Sequence, residues 1–550
     1  MKMLELVRRE SDISTRRILV AATLAGIALG TEMLMLNRAG QRIDDKQFET
    51  QLLVVYTIAL IVYFMCQRYA LAETARAIEA ALQRVKMRIA RQVRCVELRF
   101  VEVAGGYSAF SALTQDTSLI AQSAITLTYV VLTTGMLLVC GLSFALAAPA
   151  ASGLTLLCLG VAIPLLMTGY RRAVDEQKLA ANKDAAFFDC FDQMLRGFKE
   201  VKLDPRRSDA LFENMKDLTR ASFYTKNQAN QLTTDNLLLA NSIFLVLLPV
   251  VVFILPELLP AGAQGLHKTV STILFIMGPV TMYATAIPLV ARTDAAVANL
   301  YALENKLGAS IAQESVGDPA DLVKEPIEQF SRLSLKDLCF SYRDREGKEL
   351  FVSGPHNLEL LRGETVFIVG GNGSGKSTLL KLLCGLYFPT RGMISVDDMP
   401  IAGSGYHAYR QLFGVVFADF HLFDQVYGVP ANAGGEVARW IKTMELENKT
   451  GFQDRRFTDT DLSTGQRKRL AFITTVVAKR PIYIFDELAA DQDPQFRDRF
   501  YREILPGLKR GGSTLIIVTH DDQYFGCADR VITMDAGHIV SDTRIRPMAH

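Results

Sequence analysis

The sequence predicts a chain in two parts: six membrane-spanning helices within residues 1–310 and, after a linker at 311–328, an α/β domain over residues 329–550. Three observations carry this. From Thr117 to Tyr170, 54 consecutive residues include no Asp, Glu, Lys or Arg, where a hydrocarbon-spanning helix needs only about 20. Composition changes after residue 300, and the stretch Glu304 to Glu328 mixes acids, Gly, Ala and two prolines as linkers do. Beyond it lie short unbroken apolar runs, Thr365–Val369, Pro481–Phe485 and Thr514–Val518, which read as strands buried on both faces of a parallel sheet.

The membrane half divides into spans at about 18–36, 50–67, 119–146, 150–170, 236–256 and 269–291. A turn near Ala147-Ala148-Pro149 splits the long uncharged run. A basic leader (Lys2, Arg8, Arg9, Arg16, Arg17) precedes the first span. With five more spans behind it and no clean small-residue cleavage site, the first span reads as an anchor rather than a cleaved signal. Orientation follows from Lys and Arg. With the N-terminus inside, the inner segments carry 5, 8 and 12 basic residues and the outer ones 3, 0 and 1, which places the N-terminus and everything after the sixth span in the cytoplasm. Residues 68–103 and 171–203 are too long for simple loops and predict helices that continue past the bilayer, with Gly105-Gly106 and Asp204-Pro205 as breakers at short cross-pieces. Glu32 either marks a substrate path or counter-charge or reaches water at the outer interface. Pro164, Pro249, Pro279 and Pro288 read as kinks tolerated inside membrane helices.

Charge and cysteine exclude other classes. Lys and Arg number 60 and Asp and Glu 58, for a net charge of +2 and a charged share of 21%. That balance argues against a disordered chain or a nucleic-acid-binding surface. The eight cysteines are scattered, with no C-x-x-C pair and no Cys/His cluster, so neither a disulfide framework nor a structural zinc site is expected.

In the second half, the first strand runs into Gly370-Gly371-Asn372-Gly373-Ser374-Gly375-Lys376-Ser377-Thr378 and then a helix-forming run. This is a phosphate-binding loop in its required strand–loop–helix context. Glycines let backbone N–H groups turn inward around phosphate oxygens, Lys376 reaches the β- and γ-phosphates of ATP, and Ser377 ligates Mg²⁺. A second strand ends in Ile484-Phe485-Asp486-Glu487. That places Asp486 beside the magnesium and aims Glu487 at an attacking water beyond the γ-phosphate.

Between these two elements stands Leu462-Ser463-Thr464-Gly465-Gln466-Arg467-Lys468-Arg469, and after them come Asp493 and Thr519-His520-Asp521. This order resembles the nucleotide-binding domain of ATP-binding-cassette (ABC) proteins, with Thr464 standing where the signature has its first glycine. The resemblance implies that Ser463, Gly465 and Gln466 cap the ATP held by another copy of the chain. It makes His520 the γ-phosphate contact, Asp493 part of the loop joining the two halves, and Tyr342 the aromatic that stacks on adenine, a contact that is sound physically as well. One departure stands out: Ala418 in Val416-Phe417-Ala418-Asp419 occupies the position of a magnesium-binding glutamine, so metal contact there passes to Asp419 or to water. The interval from there to Ser463 is short for exporters, which implies a trimmed helical subdomain.

Six spans with long cytoplasmic extensions in front of one such domain resemble an ABC exporter half-transporter, a six-helix transmembrane exporter domain fused to an α/β P-loop nucleotide-binding domain. Gly197 to Leu203 resembles the motif at the second coupling elbow, and Val103 to Asp116 the first. The segments V-F-A-D-F-H-L-F and D-E-L-A-A-D-Q-D-P (Asp486 to Pro494) resemble the bacterial cyclic-peptide and siderophore-peptide exporters associated with pyoverdine, syringomycin and microcin export. The expectation is an ATP-driven, Mg²⁺-dependent homodimer in the bacterial inner membrane that moves a peptide or siderophore-like cargo outward by alternating access. An exporter of lipids or hydrophobic drugs is the alternative.

Overall fold

The structure, a computed structural model of the chain, describes all residues other than 1, 44–49, 105–111, 148, 255–256, 258–265, 312–326, 328, 345–347, 404 and 546–550. The Gly105-Gly106 breakers and most of the linker expected at 311–328 lie outside the described residues. Two compact units form, Met1–Ala90 with Gly106–Lys306, and Arg91–Gly105 with Leu307–His550. A single cut near residue 310 therefore misses one exchange: Arg91–Gly105, expected with the membrane half, belongs to the second unit. The reason is local. Leu98 packs on that unit's apolar core, and Glu102 pairs with Lys381 and Tyr387.

The first unit is helical: α1 (Lys2–Glu10), α2 (Thr15–Ile43) and α3 (Thr50–Cys95), then, past α4 (Leu98–Ala104) of the second unit, α5 (Thr117–Ala147), α6 (Pro149–Arg196), α7 (Phe198–Leu203), α8 (Pro205–Pro249) and α9 (Leu266–Ile311). Six of its helices are long and apolar enough to cross a membrane. At 46 residues, α3 is about 69 Å long at 1.5 Å per residue, more than twice the hydrocarbon thickness. The expected extensions are thus continuous helix as far as Cys95 and Arg196. At the Asp204-Pro205 breaker, the Asp204 carboxylate accepts the N–H of Arg206 (3.1 Å) and of Arg207 (3.4 Å), and Pro205 takes the first helical position of α8. Pro164, Pro279 and Pro288 lie inside helices, whereas Pro249 closes α8 where the backbone widens into a π-turn at Val250–Ile254.

Small residues set the helix spacing. A side-chain carbon at Gly26 would collide with the Leu132 carbonyl, and one at Gly135 would come within 2.7 Å of the Thr23 carbonyl. The first and third spans accordingly touch backbone to backbone, the close packing that replaces a hydrophobic driving force in lipid. Polar pairs bridge spans at Thr74–Thr128 (2.9 Å) and Thr281–Asn241 (3.1 Å). Glu32 is 7% exposed and its Oε1 is buried with no hydrogen-bond partner among the described residues.

An ionic hub ties three helices of this unit together. Arg88 of α3 donates to both oxygens of Glu10 at the end of α1 (2.9 and 3.0 Å) and to both of Glu304 in α9 (2.5 and 3.2 Å). Both acids are largely buried, so removing the guanidinium takes the nearest cation from both and leaves Glu10 only the longer contact with Arg9 (3.6 Å). Arg88→Met is expected to cost about 3 kcal/mol, read as a lower melting temperature in detergent, and adding Glu10→Gln and Glu304→Gln should restore part of the loss.

The second unit holds two main sheets. An antiparallel one runs β2 (Glu349–Leu361), β1 (Arg332–Arg343), β4 (Arg391–Val396), β5 (Met399–Pro400). A six-stranded one runs β12 (His538–Arg544), β11 (Arg530–Asp535), β3 (Thr365–Val369), β10 (Thr514–Val518), β9 (Ile482–Asp486), β6 (Phe413–Val416), parallel except at β12. Helices α10 (Lys376–Leu383), α11 (Gly405–Arg410), α12 (Gly434–Thr443), α13 (Thr464–Val477), α14 (Pro494–Arg499) and α15 (Leu505–Arg510) complete it, with a small hairpin of β7 (Phe452–Gln453) and β8 (Arg456–Phe457). Two apolar clusters flank the parallel strands, one taking Phe367, Phe485 and Ile517 and the other Val366, Ile484 and Ile516. Alternate residues of each strand thus point to opposite clusters, which is why these runs are apolar throughout. Between β6 and α13 the described helical structure is α12 and a 3₁₀ turn at Ala431–Ala433, a short segment as the sequence implies.

His356 in β2 is fully buried, with Nε2 2.9 Å from Ser353 Oγ. Burial, with the charge of His538 second, lowers its pKa from 6.5 to about 4. The unfolded chain therefore binds the proton more readily, and the stability present above pH 6.5 is lost as the pH falls toward 4. Melting temperature should drop across that window, and a His356→Gln variant should lack this part of the slope.

Candidate active site

Strand β3 delivers the chain into a loop that only glycine can follow. Gly370 has φ +152°, and a side chain there would strike the Met534 carbonyl; Gly375, the cap of α10, has φ +96°. The Lys376 side chain turns back over the loop, its Nζ donating to the carbonyls of Gly370 (2.8 Å) and Gly371 (2.9 Å). Tyr342, Phe351, the loop from Asn372 to Thr378 and Glu487 line one cavity of about 450 Å³. The structure thus brings together the phosphate loop, the candidate adenine-stacking Tyr342 and the candidate base.

Asp486, at the end of β9, is 4% exposed. Its pKa is raised, first by burial, then by the charges of Glu487 and Asp419, against the opposing hydrogen bond from the Ala418 backbone and the charge of Lys376. The Ala418 side chain itself offers no oxygen to a metal. Asp419 itself is exposed. Among the described residues no three His, Cys, Asp or Glu side chains cluster as a complete metal site. The oxygens on hand, Ser377 and Asp486 with Asp419 close enough to be felt, are hard donors that fit Mg²⁺ sharing its shell with phosphates and water.

Glu487 has φ +52°, and its Oε1 lies 3.3 Å from Nε2 of His520. The His520 loop is pinned by its neighbours: Tyr501 Oη sits 2.7 Å from Thr519 Oγ1 and donates to Asp521 (3.1 Å), which also accepts from Arg497 (3.1 Å).

The signature residues are placed elsewhere. Ser463 and Gln466 bond each other reciprocally as the capping box of α13: Ser463 Oγ accepts the Gln466 N–H, and Gln466 Oε1 accepts the Ser463 N–H. A side-chain carbon at Gly465 would approach the Asp491 carbonyl to 2.8 Å. None of the three lines the cavity around the phosphate loop. Asp493 caps α14 through the Phe496 N–H (2.9 Å) and accepts from Arg469 (2.8 Å). The capping N–H, with the Arg469 charge, holds its carboxyl below the usual range.

Sequence reasoning missed a group behind Tyr342. Tyr342 donates to the Tyr387 hydroxyl (3.4 Å), Tyr387 donates to Glu102 Oε2 (2.6 Å), and Lys381 donates to Glu102 Oε1 (2.7 Å). Phe340 stacks on Tyr387 at 4.6 Å, and the Arg99 guanidinium lies over Phe340 at 5.9 Å. Helix α4 is thus bonded to the aromatic wall of the cavity. Nothing local in the sequence marks Glu102, which is 285 residues from its tyrosine.

This fold and this loop arrangement define an ATPase of the ABC class behind a multi-pass membrane unit. A family model described as "ABC transporter" matches residues 354–490. The ATP-binding protein SyrD of Pseudomonas syringae pv. syringae is 30% identical over 547 residues, covering 96% of this chain and 94% of that protein. The chain therefore belongs to the ABC transporter family, as an exporter that couples ATP hydrolysis to transport. The macrolide export ATP-binding/permease protein MacB 1 of Escherichia coli O1:K1 / APEC is 33% identical over 220 residues, 38% of this chain and 34% of that one. Among solved structures, a bacterial Atm1-family ABC exporter with ATP bound matches with a TM-score of 0.77 and 18% identity, covering 96% of each chain, which establishes the fold.

Removing the carboxylate behind the aromatic wall tests its reach. Glu102→Ala is expected to raise the KM for ATP about five-fold, equivalent to about 1 kcal/mol, with kcat little changed in a steady-state ATPase assay.

Proposed function

We propose that this chain exports a cyclic or modified, siderophore-like peptide from the cytoplasm across the bacterial inner membrane, as a homodimer that alternates its access with ATP binding and hydrolysis. The observation that carries the dimer is the split site: Lys376, Tyr342 and Glu487 share one cavity, while Ser463 and Gly465 lie outside it. A second copy, presenting its own signature peptide, completes each site. The peptide cargo rests on the two unusual ATPase segments, Ala418-Asp419 with its flanks and Asp486 to Pro494, and on the end-to-end likeness to SyrD.

In this reading the phosphate loop cradles the β- and γ-phosphates, Lys376 moves its ammonium from the loop carbonyls to phosphate oxygens, and Tyr342 stacks on adenine. Glu487 takes the proton of the attacking water, and His520, within reach of Glu487, contacts the γ-phosphate. Mg²⁺ would be held by Ser377 and Asp486, with Asp419 or water at the Ala418 position, and when bound it neutralises charge on the phosphate oxygens. Alternate closing and opening of the paired ATPase units is passed to the spans through the cytoplasmic cross-pieces. The ATPase unit and N-terminus face the cytoplasm in this reading, which the excess of Lys and Arg on the inner segments supports.

Two measurements test this. Glu487→Gln should keep ATP binding and lose turnover by about 100-fold or more; equal hydrolysis by variant and wild type would remove Glu487 from the role of base. In lipid vesicles, ATPase stimulation across cyclic peptides, siderophore precursors, lipids and dyes identifies the cargo class: peptides should stimulate, and stimulation by lipids or dyes alone would replace the peptide reading with the alternative.

A further inference from the structure

A buried lysine that the proposed chemistry does not use sits directly behind the candidate base. Lys468 of α13 is 5% exposed. Its Nζ donates to the backbone carbonyl of Glu487 (2.9 Å) and pairs with the Asp491 carboxylate (2.7 Å). The carbonyl it grips belongs to a residue in the left-handed region, φ +52°, where a side-chain-bearing residue stays only if its surroundings hold it there. Three bonds do so. The Glu487 N–H donates to Val518 (3.1 Å), the Ala490 N–H donates to the Glu487 carbonyl (3.3 Å), and the Lys468 ammonium supplies the third. The ammonium contact is charge-assisted and the shortest of the three.

We propose that Lys468 is a positioning residue for Glu487: held by Asp491, its ammonium fixes the Glu487 carbonyl and with it the backbone turn that aims the carboxylate toward His520 and the phosphate loop. The inference rests on Glu487 being the base. It adds a residue that touches neither nucleotide nor water and acts through the backbone. The neighbouring residues show why a lysine is suited to this position. Arg469, next in the helix, bonds Gln492 (2.7 Å) and Asp493 (2.8 Å), and Gln492 donates to the Gly465 carbonyl (3.0 Å). The loop from Asp491 to Asp493 is thus fastened to the start of α13 from both ends, and Lys468 is the one member of that set that continues to Glu487.

The test uses full-length protein in lipid vesicles. Lys468→Met keeps the stem and removes the ammonium; it is expected to lower kcat for ATP about ten- to hundred-fold, with KM for ATP within about two-fold of wild type, and Lys468→Arg to recover most of the loss. An unchanged kcat in Lys468→Met overturns the proposal and leaves Glu487 as base, and so does a rise in KM that Lys468→Arg does not reverse. Turnover that survives in Glu487→Gln overturns the base assignment itself. If Lys468→Met fails to fold, shown by loss of ATP binding, Asp491→Ala decides: its side chain is half exposed, and a several-fold lower kcat at unchanged KM supports the proposal while a wild-type kcat overturns it.

Discussion

The ATPase unit depends on the parallel register of three strands. Val518 of β10 stands level with Ile368 of β3 on one side and with Asp486 of β9 on the other. Strands that run the same way and end together deliver their following loops to one edge, the carboxyl edge where open α/β sheets bind ligands. The loop that begins at Gly370, the Asp486-Glu487 pair and Thr519-His520 come from distant parts of the chain. They meet because the strands before them are locked in step between two apolar clusters. Shifting β9 by one residue would turn its apolar side chains to the wrong clusters and carry Glu487 away from His520.

At that edge the backbone leaves regular conformation, and the two departures are held differently. The phosphate loop uses glycine, for which a positive φ costs little. Glu487 carries a side chain and lacks that freedom. It is held instead by bonds from the neighbouring strand, from its own loop and from a buried ammonium. The arrangement explains why a lysine is buried in α13 one turn before Ala471 and Phe472. It has somewhere specific to put its charge.

What could be read in the sequence followed the range of each interaction. The phosphate loop, the strand ending in Asp486-Glu487 and the six apolar spans are patterns of neighbours along the chain, and they were legible. Ser463 and Gln466 lie in a segment that resembles the ABC signature, and the bonds they make here cap a helix. The links of Glu102 to Tyr387, Arg88 to Glu304 and Lys468 to Glu487 join residues with no local pattern between them, and composition does not mark them. Ala418 shows a further limit. Its side chain offers no metal ligand, and the neighbouring Asp419 is exposed, so residue identity alone does not say which oxygen stands in.

The packing of Arg91–Gly105 with the second unit follows from the same reasoning. Helix α3 carries a membrane span and ends at Cys95, and α4 begins three residues later at Leu98. Helix α4 is held by Glu102 on Tyr387 and by Arg99 over Phe340, the aromatic pair behind Tyr342 of the cavity, with Leu98 packed on the same apolar cluster. A change at Tyr342 that moves Tyr387 must therefore either break a bond to a carboxylate or carry α4 along. The contacts that hold α4 in that unit are charged and stacked, from Lys381 to Glu102 and from Arg99 to Phe340. Helix α3 is stiff over its 46 residues because its hydrogen-bond ladder is unbroken and has no proline in it.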